Sequence, residues 1–143
     1  MKKISRLISI IHRQGIRFFD YSLQHMDISY GQQFFMVCIH ENPGISMQEL
    51  AKIGRFDKGT VTKAMKKLEK QGFLRKEPDA CDRRVFHLFL TEDATDTLEQ
   101  IYTIRNHWND ILLQDLSKEE VHQAEELLEK ITKNAYSNMQ NWR

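Results

Sequence analysis

Apolar side chains fall at positions 4, 7, 8, 11, 18 and 19, with Gly15 in the gap. Steps of three and four residues put them on one face of a helix. A polar break over 27–31 follows, and 32–40 then reads as a short, strongly apolar helix stopped by Asn42, Pro43 and Gly44. Ser46 with Glu49 three residues on is a capping-box pattern that opens a helix through Leu50 and Ala51 to Ile53, with Gly54 as its stop. Asp57 is the next N-cap, and 58–71 is the clearest helix in the chain. Val61, Ala64, Met65 and Leu68 share one face of it; Thr60, Thr62, Lys63, Lys66, Lys67 and Lys70 take the remainder.

Gly72 ends that helix, and the period then changes. Residues 73–76 and 85–90 are short β-prone runs, with Phe86 and Leu88 alternating in face with Val85, His87 and Phe89. Between them, 77–84 carries Pro78, Asp79 and Asp82 and reads as a polar hairpin tip. Thr91, Asp93 and Ala94 begin a long helix through Leu98, Ile101, Trp108 and Leu112. Ser117 with Glu120 caps a last one through Val121, Leu127, Leu128, Ile131 and Ala135. The order is helix, helix, helix–turn–helix, hairpin, helix, helix, which defines one mostly α (α+β) domain with no internal repeat or linker.

Composition agrees: 143 residues with 2 Pro and 6 Gly disfavour a turn-rich β-sandwich. The longest apolar run, 34–39, is far short of the roughly 20 residues that cross a bilayer. The N-terminal apolar stretch is broken by Arg6, His12 and Arg13 and does not read as a signal peptide, so a cytoplasmic location with reduced Cys38 and Cys81 is expected. The overall charge of +1 conceals a pattern: residues 1–54 carry net +2, 55–90 net +5 and 91–143 net −6. The positive third is the one holding the helix–turn–helix and hairpin, where a polyanion would bind.

Two short helices joined by Gly54, Arg55 and Phe56, then at once a hairpin with Arg83 and Arg84 at its tip, make a winged helix–turn–helix. An apolar face anchors the second helix, and its Lys/Thr face meets phosphates and base edges in a major groove about 12 Å wide. Lys66 and Lys67, toward the helix's C-terminal half, suit phosphates; Thr60 and Thr62, nearer the N-terminal end, suit base edges. Ser46, Gln48, Lys58, Lys63, Arg83 and Arg84 complete the residues assigned to DNA.

The run from Asp57 to Phe73, DKGTVTKAMKKLEKQGF, resembles the recognition helix of MarR-type transcriptional regulators. Asp82-Arg83-Arg84 followed by Leu90-Thr91 resembles that family's wing signature, and Ile28-Ser29, the 48–51 helix and the long end helices match its layout. The resemblance implies a homodimeric, ligand-responsive repressor or activator, with repression the first expectation, that binds a pseudo-palindromic operator. Arg84 would enter the minor groove while Asp82 braces the wing by pairing with an arginine. One domain of 143 residues would comprise dimerisation helices at 1–27 and 117–143, a winged helix–turn–helix at 28–91 and a connecting helix at 92–116. A small aromatic or phenolic effector would lie between the dimerisation and winged regions, near Arg17, Tyr30 and Phe34.

Other chemistry is weakly represented. Cys38 lies on an apolar helix as a small core residue. Cys81, beside Arg83 and Arg84, is the more reactive candidate thiol, but Asp82 opposes that effect. The six histidines (12, 25, 40, 87, 107 and 122) show no His-x₃-His spacing and there is no Cys-x-x-Cys, so no metal and no cofactor are expected. There is no phosphate-cradling Gly loop and no Gly-x-Ser-x-Gly elbow, so no enzyme is expected. The alternative from another class is a winged helix that binds protein and forms no specific DNA complex.

Overall fold

The computed structural model describes residues 2–140; position 1 and positions 141–143 of the expected terminal helices lie outside the described residues. In order come α1 (Ile4–Leu23), α2 (Tyr30–Glu41), β1 (Ile45–Ser46), α3 (Met47–Gly54), α4 (Lys58–Lys70), β2 (Leu74–Pro78), β3 (Phe86–Leu90), a 3₁₀ turn (Glu92–Ala94), α5 (Thr95–Leu112) and α6 (Lys118–Met139). Contacts divide the chain into two units between Trp108 and Asn109.

In the first unit the core is built where helices meet the sheet. Leu23, Met36, Ile39, Leu50, Met65, Leu68, Leu88 and Ile101 have almost no exposed surface. α1 joins it through Phe19 and Leu23, and its buried Gly15 packs against the Trp108 ring. Phe18 stacks on the same indole with centroids 5.1 Å apart.

The sheet is antiparallel in the order β1–β3–β2, with Ile45 opposite Leu88 and Leu74 opposite Leu90. The sequence reading has two strands; β1 is the third. Two residues are too short to show a period, and β1 exists because β3 offers it an edge.

Other boundaries shift for identifiable reasons. α2 starts at Tyr30, two residues before the expected position, because Ser29 and Gln32 form a reciprocal capping box. Gly54 is not the stop of α3. The helix runs through it and ends on Arg55, which takes the left-handed conformation (φ 55°), and the Phe56 N–H reaches Ala51 O at 2.9 Å. Gly54 instead makes room: a Cβ there would lie 2.5 Å from the Phe56 ring and 2.7 Å from that of Phe34. Phe56 thus seats between α3 and α2, its ring 4.9 Å from Phe35, and sets the angle of the turn. Thr91 does not cap a helix with its side chain. Its hydroxyl donates to Gly72 O at 2.6 Å, tying the end of β3 to the end of α4.

Buried polar groups hold α4 in register. Gln32 donates to Gln71 Oε1 at 2.7 Å, and Gln71 Nε2 donates to Asp27 O at 2.8 Å. Among the described residues no buried side-chain polar atom lacks a partner.

Candidate nucleic-acid interface

α4 opens on Asp57, whose carboxylate accepts the Thr60 N–H at 2.8 Å and the Thr60 hydroxyl at 3.0 Å. Those bonds hold the Asp57 carboxyl below its ordinary range. Val61, Met65 and Leu68 are buried against the core, so the helix cannot rotate, and Lys58, Thr60, Lys63, Lys66 and Lys67 face solvent. Lys58, Gly59, Thr62, Lys63 and Lys66 line one shallow depression along its surface.

A second groove of about 600 Å³ runs between the helix–turn–helix and the hairpin. Ser46, Gln48, Lys58, Thr62 and Arg84, all assigned to DNA from the sequence, line it together. Its apolar lining includes Met47, Ala51, Val61, Val85 and Phe86, and Lys76 adds a cation. Lys76 is a residue the sequence reading missed. The signal was present: Lys76 is two positions after buried Leu74, hence on the same face of β2.

Not every expected residue has its polar atoms available. The Ser46 hydroxyl is occupied in capping, accepting the Glu49 N–H at 3.1 Å, and the residue is buried. The Thr62 hydroxyl donates to Lys58 O at 2.9 Å. Thr60 and Thr62 therefore present lone pairs and methyl groups.

At the hairpin tip the Asp82 carboxylate accepts the Arg84 backbone N–H at 2.9 Å, Nε at 3.2 Å and Nη2 at 3.3 Å. The arginine it pairs with is thus Arg84, whose side chain remains 90% exposed. Arg83 is exposed beside it. Asp79, unremarked in the sequence except as a turn residue, accepts the N–H groups of Cys81 and Asp82 at 3.0 Å each and contacts His87 Nε2 at 2.7 Å.

Arg17, Tyr30 and Phe34 each have a different environment. Arg17 is exposed and donates to Gln14. Tyr30 lies edge-on to Phe19 and His12, and half-buried Phe34 packs on Phe35 and Phe56. Cys38 is buried, which pushes its thiol pKa up, and Cys81 is exposed. Among the described residues no three His, Cys, Asp or Glu side chains are grouped to hold a metal ion, and no helix is long and apolar enough to cross a membrane.

A capped helix with a buried apolar face and an exposed cationic one, followed by a braced arginine hairpin, defines a winged helix–turn–helix DNA-binding regulator. The MarR family model matches residues 28–86, from the residue before the cap of α2 to the first residue of β3. The HTH-type transcriptional regulator YybA of Bacillus subtilis (strain 168) is 32% identical over 94% of this chain and 89% of its own length. A MarR protein from Peptoclostridium difficile is 31% identical with a TM-score of 0.89, covering 96% of this chain and 90% of that one. A MarR-family regulator from Listeria monocytogenes, solved in complex with 26mer DNA, is 27% identical with a TM-score of 0.89 over 96% of this chain and 92% of its own. This chain belongs to the MarR family of transcriptional regulators.

Proposed function

We propose that this chain is a repressor that binds a pseudo-palindromic operator as a homodimer and leaves it when a small aromatic or phenolic effector binds. The observation that carries the DNA reading is the groove in which Gln48, Lys58 and Thr62 face Arg84 of the wing. A related chain solved in complex with 26mer DNA supports the DNA reading. In this reading α4 lies in the major groove, with Lys63, Lys66 and Lys67 on phosphates and Thr60 and Thr62 toward base edges. With their hydroxyl protons committed inside the helix, the threonines accept from base amino groups or touch thymine methyls. Arg83 and Arg84 follow the wing into the adjacent minor groove, and Gln48 meets the backbone at the start of α3, the helix that Ser46 caps.

Residues 1–27 and 117–143 pair across a two-fold axis, 28–91 bind DNA, and 92–116 connect them. The effector reading draws on Phe34. It touches Phe56 in the α3–α4 turn, so a ligand pressing on Phe34 would act on α4; Tyr30 lies one helical turn earlier on α2, and Arg17 on α1 is the cation assigned to the effector from the sequence.

Titrating duplex DNA at several salt concentrations tests the DNA reading. Neutralised phosphates give a log–log slope of about −0.9 each, and Lys66→Ala or Lys67→Ala is expected to reduce it by about one unit. The absence of a saturable complex would instead identify a winged helix that docks on protein.

Arg84→Ala is expected to weaken binding most on operators with A·T-rich flanks, whose narrow minor groove concentrates negative potential. Arg84→Lys should recover only part of the loss, because an ammonium keeps more of its water and cannot hold Asp82 through two nitrogens. Equal losses on A·T-rich and G·C-rich flanks would make Arg84 a phosphate or structural residue.

A further inference from the structure

We propose that His87 is a positioning residue for DNA binding, its imidazolium bolting the hairpin turn to the segment before β1 and so setting the wing beside α3 and α4 in a pH-dependent way. The inference rests on the DNA reading above. His87 sits on β3, the middle strand, directly opposite Ser46 on one side and Glu77 on the other. Its Nδ1 is 2.9 Å from Gly44 O and its Nε2 is 2.7 Å from Asp79 Oδ1. Both partners are acceptors only, a carbonyl and a carboxylate. A neutral imidazole has one N–H and serves one of them; the imidazolium donates to both.

The link continues to the DNA-facing end of the wing. The other Asp79 oxygen accepts the N–H groups of Cys81 and Asp82, and Asp82 holds Arg84 by backbone and guanidinium. Gly44, His87, Asp79, Asp82 and Arg84 therefore form one chain of contacts from the N-terminal side of the helix–turn–helix to the wing arginine. The charged groups around His87 are carboxylates: Asp79 from the turn, Glu49 from α3, and Glu77 from β2, which also pairs with Arg75. β1 faces it with uncharged Ser46.

The bond to Asp79, then that to the Gly44 carbonyl, raises the His87 pKa above its ordinary value. Asp79 is in turn pulled down to about 2, first by His87 and then by the backbone N–H groups of Cys81 and Asp82. The signs differ. The His87 contribution is complete below the unfolded imidazole value of about 6.5 and fades as pH rises through the raised folded one. The Asp79 contribution is complete above about 4 and fades as pH falls toward about 2. Between those limits the bolt is closed; deprotonation of His87 as pH rises opens one end of it.

The test uses the full chain and a single duplex enriched from a random pool by this protein, with affinity measured from about pH 6 to pH 8. Wild type is expected to lose about threefold to tenfold more affinity over that range than His87→Gln, the scale of a single proton linked to binding. A glutamine amide donates at one end only and does not titrate, while the other five histidines are common to both proteins. In parallel, the His87 Cε1–H resonance should titrate above the ordinary imidazole range, and Asp79→Asn should move both that midpoint and the pH profile of binding to lower pH. A residue with only a packing role would leave the profile unmoved. Parallel pH profiles for wild type and His87→Gln, or a His87 midpoint at or below the ordinary value, would overturn the proposal. If no duplex is bound at any pH while His87 still titrates high, it is the DNA reading that fails, and the positioning role falls with it.

Discussion

Leu68→Ala is expected to lower the stability of the folded chain by about 2–5 kcal/mol. Lys66→Ala and Lys67→Ala, two and one residues away, should leave it within about 0.5 kcal/mol. Leu68 has no exposed surface. It closes the buried face of α4 that Val61 and Met65 begin, so its loss removes apolar burial and leaves a cavity against a helix that cannot shift. The Gln32–Gln71 bond and the Thr91–Gly72 bond hold the C-terminal end of α4 in place, limiting collapse into the space. Against a total of about 5–15 kcal/mol for an ordinary domain, that loss is a large fraction. Urea melts should show a lower midpoint at unchanged slope for Leu68→Ala and an unmoved midpoint for both lysine variants. DNA titration should separate the lysines from wild type. A stability loss in the lysine variants, or none in Leu68→Ala, would mean that the two faces of α4 are misassigned.

That division of α4 was legible in the sequence because a 13-residue helix gives more than three turns of evidence, and because Asp57 and Gly72 mark both ends. The DNA-facing set was legible for the same reason: once the buried face is fixed, the lysines and threonines have nowhere else to point. Features made by distant pairing left weaker traces. β1 is two residues long and owes its existence to β3, so no local period announces it. Gly54 looks like a helix stop, and only the rings of Phe34 and Phe56, 20 and 2 residues away, show that it is a gap for aromatic packing. His87 was one histidine among six. Its role comes from Gly44 and Asp79, 43 and 8 positions away, which pattern reasoning along a single strand cannot bring together. Ser29 with Gln32 is a recognisable capping-box pattern, a Ser with Gln three residues on, masked in the sequence by Asp27 before it and Gly31 within it.

The double variant Leu127→Glu, Leu128→Glu is expected to be a folded monomer that binds operator DNA roughly a hundredfold to ten-thousandfold more weakly than wild type. Leu127 and Leu128 are 58% and 52% exposed on α6. On α1, Ile4, Leu7, Ile8 and Ile11 are between 41% and 51% exposed. Apolar stripes of that extent mark association surfaces, and we assign both to the proposed homodimer. Glutamate at positions already facing solvent costs the single chain little, so helix content by circular dichroism should persist. In an apolar seam each carboxylate would lose its water, a penalty the burial of leucine no longer offsets. The DNA consequence follows from geometry. Two recognition helices held about 34–36 Å apart reach successive major grooves, and the second contact then forms at the high effective concentration set by the first. Breaking the dimer removes that advantage without touching any DNA-facing residue, so the monomer should retain only the affinity of one half-site. Sedimentation and operator titration on the same sample read the two effects together. Wild type sedimenting as a monomer at micromolar concentration, or the double variant binding as tightly as wild type, would exclude the dimeric mode of operator recognition.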